Sequence, residues 1–274
     1  MLGAAAVRDL LDRHDIAPSR ALGQNFVVDP NTIERIVRAA GVATGDNVIE
    51  IGPGVGSLTV GLVAAGAEIV AIELDHHLLA PLGEVITEMG AGQVELVHAD
   101  ATTIVWSEFF ADRSAGPYKL IANLPYNVAA SVVLRALDEA PQISEIVVMV
   151  QREVAERMAA PPGSAVYGIP SVKVAYWGSA RVVGKVPATV FHPVPKVESS
   201  LVRIVRAAQP ATTAEPELLF ALVRQAFGQR RKMLRKSLGH VVDDTMFAAA
   251  DVAPTARPQD LSILDWGRLA IAAG

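Results

Sequence analysis

The stretch Glu50-Ile51-Gly52-Pro53-Gly54-Val55-Gly56 constrains this chain most, because an apolar run from Asn47 to Ile51 must turn there at once into a helix. Glycines at alternate positions remove the side chains that would hold a ligand off the backbone. The amides opening the helix, Ser57 to Ala65, then face whatever sits on the turn. The spacing is G-x-G-x-G, without the G-x-x-G ending of a dinucleotide fingerprint, so a bare tight turn stays open beside a small-ligand site.

The order of elements around this turn predicts an α/β fold. Val7 to His14 has helical apolar spacing, Ala21 to Phe26 is a polar loop containing Gly23, and Asp29-Pro30 starts a helix over Asn31 to Ala40. Short strands are expected at Asn47 to Ile51, Glu68 to Glu73, Val94 to Val97, Tyr118 to Ala122 and Glu145 to Val150, with helical stretches between them. That alternation is the mark of a parallel, doubly wound sheet. Two further β-rich runs, Val172 to Val183 and Ser199 to Val205, follow with no helix between them and are expected to close the sheet as an antiparallel pair. Gln209 to Glu217 reads as a linker. The expected division is therefore a ligand-binding domain over residues 1–208 and a small all-α domain over 209–274.

In such sheets ligands bind beyond the carboxyl ends of the strands, and here those ends carry polar residues. Strand one ends in the glycine turn, the next in Glu73, the third in His98-Ala99-Asp100 and the fourth in Asn123-Leu124-Pro125-Tyr126. Glu73 lies 21 residues past Gly52, the distance at which a carboxylate accepts from ribose hydroxyls; a surface acid is the plainer account. Asp100 suits an exocyclic amine on an adenine or a helix N-cap. Asn123-Leu124-Pro125-Tyr126 is the most discriminating segment. An amide oxygen followed by a carbonyl stiffened by proline aims two acceptors at one –NH₂ group, and a tyrosine ring can stack on the flat group that carries it. A turn of the Asn-x-Pro kind is the alternative. Phe191, in the proline-rich run Val190 to Lys196, suits the core at least as well as a ligand contact, and His192 is as readily a bystander.

Composition narrows the setting. The chain has 274 residues, 51% of them hydrophobic, enough for a full core, and it contains no cysteine. That removes disulfides, a thiolate nucleophile and cysteine-built zinc sites, and fits a reducing compartment. No metal-ligand spacing is evident. Charged residues interrupt the N-terminus before any run of membrane length, so a soluble cytoplasmic protein is expected. The net charge of −5 is uneven: residues 1–180 hold 11 Lys/Arg against 21 Asp/Glu, residues 181–240 hold 11 against 3, and residues 241–274 hold 2 against 5. A basic block on an acidic body points to one face that neutralises phosphates, although a solvated helix surface would have the same composition.

Taken together, Leu22-Gly23-Gln24-Asn25-Phe26, the Glu50–Gly56 turn, Asp100-Ala101, Asn123–Tyr126, the Phe191-x-Pro-x-Pro-Lys-Val stretch and Gln225-Ala226-Phe227-Gly228-Gln229-Arg230-Arg231-Lys232 resemble the ribosomal RNA adenine N6,N6-dimethyltransferases over nearly the whole chain. The resemblance implies a Rossmann-like sheet, mostly parallel with an antiparallel last strand, and S-adenosyl-L-methionine as cofactor. It implies cofactor contacts from Asn25, Val27, Gly52, Gly54, Glu73, Asp100, Ala101 and Asn123. For catalysis it implies Asn123 and the Leu124 carbonyl at the adenine amine, with Tyr126 and Phe191 sandwiching the base. Arg230, Arg231, Lys232, Arg235 and Lys236 would grip the RNA. The partner expected is 16S ribosomal RNA in the immature small subunit, met by a monomer with no membrane role. The closing segment Pro258 to Ser262 is similar to the housekeeping branch of the family more than to the enzymes that methylate 23S RNA and confer macrolide resistance. A nicotinamide-dependent dehydrogenase would leave Asn-Leu-Pro-Tyr unexplained, and a non-catalytic ribosome-assembly factor is the remaining alternative.

Overall fold

The computed structural model describes residues 1–114 and 116–274. Its strands are β1 (Phe26–Val27), β2 (Asn47–Ile51), β3 (Glu68–Glu73), β4 (Val94–His98), β5 (Tyr118–Asn123), β6 (Ile143–Gln151), β7 (Gly178–Val186), β8 (Phe191–His192) and β9 (Ser199–Arg206). Seven of them form one sheet in the order β4-β3-β2-β5-β6-β9-β7. The pairs β4·β3, β3·β2, β2·β5 and β5·β6 are parallel, and β9 runs antiparallel to β6. Strand order reverses between β2 and β5, which opens a crevice at their carboxyl ends. That is where the glycine turn and Asn123 both fall.

The residues that make these strands are the reason the sheet is covered on both faces. Val48, Ile49, Leu120, Ile121, Val147 and Val148 are fully buried, as continuous apolar runs in parallel strands require. The helix Ser57–Ala64 buries Ser57 to Leu62 without a polar face, so it lies inside the fold rather than on its surface. The helix Pro30–Ala39 begins where the sequence sets it: Pro30 opens it, and Asp29 Oδ2 accepts from the Thr32 amide at 3.0 Å and the Thr32 hydroxyl at 2.6 Å.

Contacts group the chain into two compact units, Met1–Ala155 with Arg181–Val205, and Glu156–Ala180 with Arg206–Gly274. This differs from a single cut at 208, because 156–180 joins the C-terminal unit. The same segment corrects a second expectation: Ile169–Trp177 is a helix, and the strand begins only at Gly178. Val172, Val174 and Tyr176 are all buried, an alternation that imitates a strand. Helix is favoured instead because Pro170 sits in its first turn, Ser171 Oγ accepts from the Gly168 amide at 3.0 Å, and Val172 and Tyr176 join the core around Trp266, Phe247 and Leu219. In that core the Tyr176 hydroxyl donates to Ala214 O at 3.1 Å and the Tyr167 hydroxyl to Leu261 O at 3.0 Å.

Entry into β2 is fastened by Lys119 on β5. Its ammonium donates to Ala40 O at 3.2 Å, Gly41 O at 2.7 Å and Asp46 Oδ2 at 2.7 Å, so one cation closes the end of a helix and the start of the strand that leads to the glycine turn. Burial works to raise the Asp46 carboxyl, but the Lys119 ammonium and the Ala43 amide together hold it below its ordinary range. Replacing Lys119 by Met is expected to cost about 1–3 kcal/mol at neutral pH in urea unfolding. Because the folded-state carboxyl is depressed, the stabilisation is present above the unfolded value and is lost as pH falls through the folded one. The gap between wild type and variant should therefore narrow in acid.

Candidate active site

The turn after β2 is built from backbone that side chains would obstruct. Gly52 and Gly54 have φ of +68° and +61°. A Cβ at Gly54 would stand 2.8 Å from the Phe26 ring, so the N-terminal segment seats directly on the turn. At Gly52 the nearest atoms to such a Cβ, Asn123 O and Pro125 Cδ, are both 3.9 Å away, which leaves that side facing the cavity. The cavity at this crevice is lined by all eight expected cofactor residues, Asn25, Val27, Gly52, Gly54, Glu73, Asp100, Ala101 and Asn123, and by Leu124 and Tyr126.

Glu73 is buried at the end of β3 rather than placed on the surface. Its Oε2 accepts from the Gly54 amide at 3.1 Å and its Oε1 from the Asp75 amide at 2.9 Å. Burial raises the carboxyl, and these amides with that of Leu74 oppose the rise. Each oxygen has capacity for a second donor, which suits a pair of vicinal hydroxyls. Asp100 uses Oδ1 to accept from the Thr102 amide at 2.8 Å and its hydroxyl at 2.7 Å, so the local turn role is present at the cavity wall.

The amide of Asn123 is oriented by chemistry. Its Nδ2 donates to Asn25 O at 2.9 Å; only an amine can meet a carbonyl, so this contact assigns the amide and frees Oδ1 as an acceptor. Leu124 is buried, and its amide donates to Met149 O at 3.2 Å, which fixes the Asn123–Leu124 peptide against β6. Tyr126 is half-buried and its hydroxyl lies 2.7 Å from Ser199 Oγ. Burial pushes this phenol up, with the Ser199 contact acting the other way, so it stays protonated at neutral pH.

Phe191 departs from its expected role. It is buried among Val27, Ile33 and Leu201 and is absent from the cavity wall, so the core reading holds and stacking on a base is not available to it in this arrangement. Its strand matters in another way. β8 pairs with β1, Phe26 opposite His192 and Val27 opposite Phe191, which ties the proline-rich run to the N-terminal motif. Two-residue strands lack enough periodicity to be read from sequence.

Two groups at the cavity were not singled out. Glu50 is buried, its Oε2 accepts from the Thr59 hydroxyl at 2.7 Å, and Oε1 has no partner among the described residues. Burial pushes it up to about 8, so near neutral pH it is held mostly as the acid. Gln24, within the Leu22–Phe26 motif, donates from Nε2 to Asp75 Oδ2. Asp75, His76 and His77 bring three ligand-type atoms within 4.8 Å of one another, but the Asp75 oxygens are already engaged by the His77 amide and Gln24.

Of the five basic residues expected to meet RNA, Arg231, Lys232, Arg235 and Lys236 are exposed in the C-terminal unit. Arg230 is half-buried there and donates to Ala165 O at 2.7 Å, so part of its charge serves the fold.

Known proteins resemble this chain in sequence and fold. The family model described as ribosomal RNA adenine dimethylase matches residues 18–273. Curated relatives named ribosomal RNA small subunit methyltransferase A include those of Leifsonia xyli subsp. xyli, 46% identical over 98% of this chain and 98% of the relative, and Kineococcus radiotolerans, 46% identical over 98% of this chain and 91% of the relative. Among solved structures, a dimethyladenosine transferase from Plasmodium falciparum matches in fold with a TM-score of 0.74 at 23% identity, over 89% of this chain and 95% of that one. The 23S rRNA methyltransferase ErmE matches with a TM-score of 0.68 at 26% identity, over 91% and 99%. The turn, the oriented asparagine amide and these likenesses agree: this chain belongs to the ribosomal RNA adenine dimethylase family.

Proposed function

We propose that this protein transfers methyl groups from S-adenosyl-L-methionine to N6 of adenosines in 16S ribosomal RNA, twice on each of two adjacent adenosines in a hairpin near the 3′ end, during small-subunit assembly. The observation that carries the reading is the Asn123 amide, whose nitrogen is spent on Asn25 O and whose oxygen is left for an amine donor. The small-subunit assignment rests on relatives 46% identical over 98% of the chain, against 26% for ErmE. A cytoplasmic monomer acting on the immature subunit completes the proposal; the absence of cysteine fits a reducing compartment, and no helix among the described residues is long and apolar enough to cross a membrane.

The residues present fit the cofactor. Glu73 would take the ribose hydroxyls, Asp100 and Ala101 the adenine, and Asn25, Val27 and the Gly52 turn the methionine end. Ser57 Oγ, buried on the cavity wall without a partner among the described residues, adds a free polar group beside that turn. When bound, S-adenosylmethionine supplies an electrophilic methyl on a positively charged sulfur with a neutral leaving group.

What the chain must supply is alignment of a poor nucleophile, since the adenine N6 lone pair is delocalised into the ring. In the first transfer Asn123 Oδ1 and Leu124 O accept the two N6–H bonds, and in the second, one of them accepts the N6–H that remains; these contacts favour a more pyramidal nitrogen and aim its lone pair across the cavity. As the N–C bond forms, the nitrogen becomes cationic and releases one proton to water, so no dedicated base is required. Tyr126 offers a ring face to a base drawn out of its stack, worth on the order of 1–3 kcal/mol. Its hydroxyl, protonated and engaged by Ser199, is not a base. Arg231, Lys232, Arg235 and Lys236 neutralise backbone phosphates.

Asn123→Ala is expected to lower single-turnover methylation by roughly 10²-fold or more at saturating cofactor, while RNA affinity barely moves. Tyr126→Phe should keep most activity and Tyr126→Ala should lose it; equal damage from both would assign the chemistry to the hydroxyl. Neutralising Arg231, Lys232, Arg235 and Lys236 should weaken RNA binding and flatten its dependence on salt with cofactor affinity intact, and an unchanged salt slope would return the cluster to a solvated surface.

A further inference from the structure

The loop that precedes Asn25 is fastened by the Gln24 side chain to Asp75, two residues past the end of β3. Gln24 Oε1 accepts from the Ser19 amide at 2.7 Å, and Gln24 Nε2 donates to Asp75 Oδ2 at 2.7 Å. An amide hydrogen must meet the oxygen and a carboxylate must meet the nitrogen, so the two contacts fix the Gln24 orientation. Asp75 in turn uses Oδ1 to cap the helix His76–Glu88 through the His77 amide, and its own amide donates to Glu73 Oε1. Glu73 Oε2 receives the Gly54 amide. A continuous run of hydrogen bonds thus leads from the Ser19–Gln24 loop to the buried carboxylate and the glycine turn. On the other side of Gln24, the carbonyl of Asn25 receives Asn123 Nδ2, and Asn25 Nδ2 reaches back to Gly23 O at 3.0 Å.

From this geometry we propose that Gln24 is a positioning residue, which by closing the loop onto Asp75 sets both the Glu73 acceptor and the Asn25 carbonyl that orients Asn123. The inference rests on the cofactor reading above. It explains why a polar side chain of this length stands between a glycine and the cofactor-contacting asparagine. A shorter amide at this position would lose the span to Asp75, and a carboxylate would set two like charges together. The coupling runs through contacts, not through distance alone: moving Asp75 moves a hydrogen bond of Glu73, and moving residue 24 moves the neighbouring carbonyl.

The test exchanges the partners. Gln24→Glu keeps the acceptor for Ser19 and puts a carboxylate against Asp75, whereas Gln24→Glu combined with Asp75→Asn restores one donor and one acceptor, with Asn retaining the helix cap. Binding of S-adenosylmethionine is read by calorimetry on the full chain, folding by thermal melting, and kcat by methylation of 16S RNA at saturating cofactor. Each single variant should weaken cofactor binding by at least about tenfold and lower kcat, with a melting temperature close to wild type; the double variant should return to within about threefold of wild-type binding. Wild-type affinity in Gln24→Glu, or a folded double variant no better than the singles, would overturn the inference. Wild-type protein that fails to bind S-adenosylmethionine would instead overturn the cofactor reading, and the positioning role with it.

Discussion

A single hydrogen bond between residues 98 apart in sequence, from Asn123 Nδ2 to Asn25 O, joins the two halves of the site. It turns a symmetric-looking amide into a directed acceptor, and it does so only if three other features hold. β5 must deliver Asn123 to the crevice beside β2, the N-terminal segment must lie on the glycine turn, and the turn must be bare enough to receive it. The 2.8 Å approach that a Cβ at Gly54 would make to Phe26 expresses the last requirement as a distance. The pairing of β1 with β8 then keeps the segment from lifting away.

Charge is divided in keeping with this geometry. The cavity walls carry carboxyl groups that burial raises, Glu50 and Glu73, while cations with exposed side chains collect in the C-terminal unit. On the function proposed above, an anionic polymer would be drawn to one part of the chain and a compact ligand with hydroxyl and amino groups to another.

Much of this could be read before the structure, for physical reasons that differ from place to place. β2 and β3 fall at the residues expected because both are short apolar runs bounded by a turn, and the sheet order follows from their alternation with helices. The position of Glu73 at a strand end on the cavity wall could be read from its spacing, and the polar strand ends from where ligands sit in such sheets. The helix Ile169–Trp177 was not, because alternate burial of Val172, Val174 and Tyr176 mimics a strand and only the partner core distinguishes the two. Phe191 illustrates the opposite case: the motif containing it is diagnostic, yet the ring supports the core and its two-residue strand holds the N-terminal segment. Gln24 was invisible as a separate actor, since its partner Asp75 lies 51 residues away and a polar loop residue carries no periodic signal.

The central claim is that the Asn123 oxygen and the Leu124 carbonyl together hold the amine that is methylated. The most direct measurement is a crystal structure of the protein with a non-reactive cofactor analogue and a short RNA presenting the target adenosine. The account predicts N6 within about 3.2 Å of both oxygens, with Asn123 Nδ2 still on Asn25 O and the ring of Tyr126 against the base. An adenine bound with N6 directed to any other acceptor, or an Asn123 amide turned so that its nitrogen faces the base, would contradict it.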